Sequence, residues 1–280
     1  MHFIVQHSTL YRYSVPVVLA PHLLRLTPRS LGTRLYSRSL LIHPQPVSQY
    51  DDVDELGNAV TRVTFTGSPS AELRIESRFE LDTYAVAPPS ISAPGGLPPL
   101  PWPASVHDGL GAYRAIGSED AAVEGFARAL ASEVGQQPLA FLDRLCRALY
   151  ERTDRQIRHT GDAQSAAETL ATRRGACRDL TVLFLAAARS LGFAARFCSG
   201  YQAAAQTPDG QRYLHAWPEV FVPGAGWYGW DPTHGIAAGE GHVALCAAPA
   251  QTATMPVTGG YYFGDTITAT LDFEVRIATS

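Results

Sequence analysis

Apolar and polar positions alternate with a period of two through the first third of the chain, the pattern of strands that bury one face. Phe3-Ile4-Val5, Leu10 to Val15, Leu23 to Leu26, Ser39 to Ile42, Val60 to Phe65 and Leu73 to Leu81 are the predicted strands. The last is the cleanest, with Leu73, Ile75, Phe79 and Leu81 on one face and Arg74, Glu76, Arg78 and Glu80 on the other. Turn residues such as Glu55-Leu56-Gly57-Asn58 separate the runs, so residues 1–86 read as a β-rich, sandwich-like domain.

From Tyr84 to His107 there is no charged residue, and prolines crowd the stretch from Pro88 to Pro103. Neither helix nor ladder is favoured there. Residues 87–107 are expected to be a linker draped over a surface, held by Leu97, Leu100 and Trp102.

The period then lengthens to that of a helix. Ser118 is placed to cap a helix over Glu119 to Ser132. Pro138 opens a second that runs to about Thr153, with Phe141, Leu142, Leu145, Cys146 and Leu149 on its apolar stripe. Ser165-Ala166-Ala167-Glu168 fits a capping box before a short helix that ends ahead of Gly175. A fourth helix spans Cys177 to Leu191, with Leu180, Leu183, Phe184, Ala187 and Leu191 on one face and Gly192 as its stop. Strands follow at Phe193 to Tyr201, Leu214 to Val222, Gly226 to Asp231, His242 to Ala247 and Thr266 to Ile277. The last of these points Ile267, Ala269, Leu271, Phe273, Val275 and Ile277 inward. Helices segregated before a largely antiparallel sheet make residues 108–280 an α+β domain.

Composition narrows the function. The 280 residues carry a net charge of -4, which argues against a nucleic-acid partner because phosphate neutralisation needs a basic surface. All the basic side chains are arginine, so the protein has no lysine amine to offer an acyl group. Cys146, Cys177, Cys198 and Cys246 are scattered without a Cys-x-x-Cys pair, and four reduced thiols with no zinc ribbon are expected. The opening Met1 to His7 reads as a strand and not as a secretion signal, and no stretch has the length of a membrane span. A cytoplasmic protein with no membrane partner is the expectation.

The chemistry lies in the second half. Cys177 stands in Arg174-Gly175-Ala176-Cys177-Arg178-Asp179 at a helix start, where unpaired N–H groups and the helix dipole favour a thiolate and a developing oxyanion. His215 and Asp231 follow on strands joined by the turn Pro223-Gly224-Ala225-Gly226. If Val222 faces Gly226 across a three-residue loop, Asp231 shares a face with His215 at a diagonal of roughly 7–8 Å, within reach of the imidazole. A two-residue loop would put them on opposite faces unless Pro218 marks a bulge. Taken alone, Cys177 could be a packed thiol and Asp231 a turn residue before Pro232. Together the three make a nucleophile, a base and the group that orients the base.

The remaining candidates are weaker. His234 and Asp231 could be read as a metal pair, but no recognised ligand spacing accompanies them, so neither metal nor cofactor is expected. Asp179 is expected to cap or neutralise the helix start; Cys198 and Cys246 fit strand packing, and His159 has no assigned role.

Several motifs in order resemble the bacterial transglutaminase-like superfamily, whose members are described as cysteine proteases. They are Arg174 to Asp179, Arg196-Phe197-Cys198-Ser199-Gly200-Tyr201, His215-Ala216-Trp217-Pro218-Glu219-Val220, and Pro223 to Trp227 continuing through Asp231-Pro232-Thr233. Tyr11 to Val17, Leu24 to Arg29 and Glu55 to Asn58 are similar to the β-rich N-terminal region found with that core. The resemblance implies a papain-like α+β core in which Cys177 is the nucleophile, His215 the base and acid, and Asp231 the orienter. Pro218 departs from the small or β-branched residue usual there, which puts the local pairing of the histidine strand in question. The expected function is thiol-dependent acyl transfer on a peptide or protein amide, resolved by water. Transfer to an amine is the second enzymatic reading, and an idle binding module is the third.

Overall fold

The computed structural model describes residues 1–85, 96–103, 109–115, 120–159, 161–203, 211–262 and 267–280. The N-terminal strands are β1 (His2–Leu19), β2 (His22–Leu24), β3 (Thr33–His43), β4 (Ser48–Val53), β5 (Ala59–Thr64) and β6 (Ser70–Thr83). Phe3-Ile4-Val5 and Leu10 to Val15, expected as two strands, are one continuous β1, because no Gly, Pro or Asn lies between them to break the ladder. β4 was not legible, since its six residues are all exposed and carry no alternation.

The helical stretch holds α1 (Gly111–Arg114), α2 (Ala121–Glu133), α3 (Pro138–Arg152), α4 (Ala166–Thr172) and α5 (Cys177–Ser190). Two short strands, β7 (Asp154–Arg155) and β8 (Arg174–Gly175), pair in parallel beside the last two helices. α2 is capped by Asp120, whose carboxylate accepts from the N–H groups of Ala122 and Val123. Ser118, the expected cap, lies outside the described residues. Ser165 caps α4 as the sequence suggests, accepting from the Glu168 N–H at 3.1 Å.

Five antiparallel strands complete the helical unit: β9 (Ala195–Gln202), β10 (His215–Val222), β11 (Gly226–Asp231), β12 (Ile236–Ala237) and β13 (His242–Ala248), in the order β12-β11-β10-β9-β13. α5 lies on β9 and β10, and Leu180, Leu183, Phe184 and Ala187 are each no more than 1% exposed. Leu185 and Ala188 are buried as well, so this helix is enclosed on more than its predicted stripe. The fold is α+β, as expected.

Three strands remain: β14 (Val257–Thr258), β15 (Tyr261–Tyr262) and β16 (Ala269–Thr279). β16, grouped by its position in the sequence with the helical unit, runs its whole ladder along β1, from Phe3↔Thr279 to Tyr13↔Ala269. Alternation marks a half-buried strand but does not say which sheet receives it. The chain thus leaves the N-terminal sheet after β6, builds the helical unit, and returns. The sheets β15-β1-β6-β3, with β16 on β1, and β14-β2-β5-β4 share one apolar cluster that includes Phe3, Leu24, Val63, Ile75 and Phe79.

That cluster also takes in Tyr201, Val243 and Leu245 of β9 and β13, so the two parts of the molecule share a core. Polar contacts add direction. Asn58, expected as a turn residue, sends both ends of its amide to the Ala247 backbone, accepting at 2.8 Å and donating at 3.1 Å. Arg29 joins Arg196 on the Glu219 carboxylate. The linker residues Leu100 and Trp102 are buried, and Trp102 packs on Phe193 with ring centroids 4.6 Å apart. Gly192 makes this approach possible: its φ is +94°, and a Cβ there would overlap the Trp102 carbonyl.

Candidate active site

The loop between β10 and β11 takes the three-residue register, not the two-residue alternative. Val222 faces Gly226 and Glu219 faces Gly229, which carries His215 and Asp231 to one face of the sheet. The ladder to β11 ends at Glu219, next to Pro218, which has no N–H to donate. On the other side β10 stays paired with β9 through Pro218↔Phe197, so the proline does not disturb the placement of His215.

Cys177 is the first residue of α5, and the chain enters that helix under tight control. Asp179, fully buried, accepts from the Ala176 N–H at 2.7 Å, from the Gln164 N–H at 2.8 Å and from Arg158 Nη2 at 2.6 Å. Its expected part at the helix start is therefore visible as hydrogen bonds that fix the backbone just before the thiol. Cys177, His215 and Ala216 line one cleft, and His215 and the Ala216 backbone lie near enough to the sulfur to favour its thiolate. His215 Nε2–H donates to Asp231 Oδ2 at 2.9 Å, which leaves Nδ1 for Cys177. Of the three residues selected from the sequence, His215 and Asp231 are hydrogen-bonded, and Cys177 lines the same cleft as His215.

Asp231 has more partners than the sequence suggested. His234 Nδ1–H donates to the same Oδ2 at 2.7 Å, and His242 Nε2–H does so at 3.0 Å. The tautomer of His242 follows from its other nitrogen, which accepts from the Gly239 N–H at 3.3 Å. The second oxygen, Oδ1, accepts from the Thr233 N–H at 2.9 Å. His234 had a signal in its i, i+3 spacing from Asp231. His242 had none, being a single histidine at the start of a distant strand.

Electrostatics follow from these contacts. Burial alone would push the Cys177 thiol up, yet the hydrogen bond and charge of His215, with the Ala216 N–H and Arg178, hold it below its ordinary value. Burial opposes a charged His215 too, but Asp231 and the Cys177 sulfur outweigh it and raise the imidazole to about 10. Asp231 is fully buried, and His215 together with the two further imidazoles keeps it well below the carboxylate range. The other cysteines go the opposite way: burial raises Cys146 and Cys198 strongly and Cys246 to about 12. None is disulfide-bonded.

His215, Asp231 and His234 offer ligand atoms within 4.8 Å of one another. The imidazole nitrogens of His215, His234 and His242 lie 2.7–3.0 Å from Oδ2, the spacing of N–H···O hydrogen bonds. The donor set fits protons better than a metal ion.

Cys177, His215 and His234 open onto a cleft of about 400 Å³ between the helical unit and the N-terminal sheet. Its far side is formed by Tyr11, Leu271 and Phe273.

Comparison with known proteins agrees with this architecture. Residues 128–232 match the transglutaminase-like superfamily core, and residues 3–82 match the bacterial transglutaminase-like N-terminal region. The chain thus carries a transglutaminase-like superfamily core behind a bacterial transglutaminase-like N-terminal region. The superfamily core contains Cys177, His215 and Asp231 within its matched span. An uncharacterized protein of Mycobacterium tuberculosis is 28% identical over 291 residues, covering 98% of this chain and 91% of that protein. One from Mycobacterium leprae is 27% identical over 274 residues, covering 92% of each. The crystal structure of "a Putative Cysteine Protease from Cytophaga hutchinsonii" superposes with a TM-score of 0.69 at 17% identity, covering 99% of this chain and 90% of the other. At that identity the likeness is one of fold. No helix among the described residues is long and apolar enough to cross a membrane.

Proposed function

We propose that this transglutaminase-like protein hydrolyses a peptide or amide bond through a thioester on Cys177. The observation that carries the reading is a thiol at a helix N-terminus, beside an imidazole that a buried carboxylate holds through a 2.9 Å hydrogen bond, and open to a cleft. Cys177 Sγ attacks the substrate carbonyl, and the N–H groups of the first turn of α5 face the oxygen as it gains charge. His215 then gives its proton to the departing amine, leaving a neutral ring. In the second half His215 takes a proton from water as the hydroxyl adds to the thioester, and the Cys177 thiolate leaves. Asp231 keeps the ring oriented through both steps.

The test is product analysis with a peptide pool, with and without an added primary amine, and with mass-spectrometric trapping of Cys177. A Cys177-linked acyl intermediate and a free carboxylate product are expected. Near-complete amine incorporation with little hydrolysis would replace this reading with that of an amine transferase. A side-chain amine has to come from outside, because the chain has no lysine.

A further inference from the structure

The inner face of the N-terminal sheet does not stop where the helical unit stops covering it. Along the β1–β16 ladder the facing pairs are Val5↔Ile277, His7↔Val275, Thr9↔Phe273 and Tyr11↔Leu271, all on one side of the sheet by the two-residue period. Ile277 and Val275 are buried, Phe273 is half-buried and Leu271 is 44% exposed. The apolar stripe therefore emerges from under the core, and where it emerges it forms the wall of the cleft that holds Cys177. Tyr213 and His159 extend this wall by edge contacts: Tyr213 lies 6.1 Å from the Phe273 ring and 5.1 Å from the His159 ring, centroid to centroid. An apolar strip left open to water and continuous with a reactive cleft marks a place where something apolar binds.

On the acyl-transfer reading given above, we infer that Tyr11, Leu271, Phe273 and Tyr213 form a subsite for an aromatic or large aliphatic side chain of a peptide substrate, close to the carbonyl that Cys177 attacks. The occupant follows from the surroundings. The cleft leads directly to the thiol, so what fills it is part of the substrate; the cations that line it, Arg155, Arg158 and Arg178, belong to the helical unit, while Tyr11, Leu271 and Phe273 on the sheet side offer no charged group. The N-terminal sheet would then choose the substrate, while the helical unit reacts with it.

The test uses the full chain and matched peptides that differ at one position, bearing Phe, Leu, Ala, Glu or Lys at each of the two residues on either side of the bond attacked. At one of these positions kcat/KM for Phe or Leu should exceed that for Ala by roughly 10–100-fold and that for Glu or Lys by more. Leu271→Gln, at a site exposed enough to spare the fold, should shrink that preference several-fold, and Phe273→Ala should shrink it further. Iodoacetamide, too small to use the wall, should alkylate Cys177 in both variants as it does in the parent. Equal kcat/KM across the side chains, or a preference that survives both substitutions, would overturn the subsite alone. Absence of any Cys177 adduct or product from every peptide would remove the acyl-transfer reading and the subsite with it.

Discussion

On one side of the cleft two buried carboxylates gather most of the bonds. Asp231 accepts from three imidazoles and a backbone N–H, and Asp179 accepts from two N–H groups and an arginine. On the other side the ladder between β1 and β16 holds the backbone, while Tyr11, Leu271 and Phe273 project from it as a half-covered apolar surface. Directional bonds between buried groups fix the first wall, and an alteration there leaves a charge or a donor unpaired. The second wall owes its position to main-chain pairing, so its side chains can change with little effect on the fold. The protein thus joins a surface that must stay constant to one that is free to vary.

The sharpest way to break this contrast is to remove the reacting groups. Cys177→Ala and His215→Ala should each lower turnover by at least about 10⁴-fold, with circular dichroism close to the parent's in both and Tm lowered only in His215→Ala, which takes a partner from buried Asp231. Asp231→Asn should cost about 10²–10⁴-fold, and it should also lower Tm, because the three imidazoles lose their common anion.

Proton linkage sharpens it further. Cys177 should react with iodoacetamide at neutral pH far faster than Cys146, Cys198 or Cys246, the last of which ionises only at about 12. Equal labelling of all four would be incompatible with a thiol pKa lowered at Cys177 alone. Stability has two edges. The depressed Asp231 contributes above its unfolded pKa, and that contribution is lost as acid titrates its folded form. The raised His215 contributes fully below its unfolded value near 6.5 and loses that contribution as pH climbs toward about 10. Denaturant melts across pH should show both losses in the parent and a much weaker alkaline one in His215→Ala.

Smaller effects come from the supports. Asp179→Ala should destabilise by about 3 kcal/mol in urea unfolding, since Arg158 and two N–H groups lose their acceptor at a buried site. Asn58→Ala should cost about 1–3 kcal/mol through the backbone groups of Ala247 that it leaves unpaired. Leu271→Gln, on the permissive wall, should change stability by no more than about 0.5 kcal/mol.

Much of the reactive wall could be read along the chain because its causes are local. The capping residues Ser165 and Asp179, the stripe of α5 and the three-residue turn at Pro223 each act over a few positions, and together they place Cys177, His215 and Asp231. What could not be read depends on distant partners. His242 meets Asp231 only because β13 folds back beside β9, and the pairing of β16 with β1 joins residues more than 250 positions apart in the chain. Periodicity records that a face will be covered. It carries no address for the cover.

The return of β16 to β1 also orders events during synthesis. Every residue of the reactive cluster precedes Ala269–Thr279, so the ribosome delivers the thiol and its imidazole before the strand that supplies Leu271 and Phe273. A chain stopped before Ala269 would hold Cys177, His215 and Asp231 in its sequence but would leave the β1 edge without the strand that carries Leu271 and Phe273.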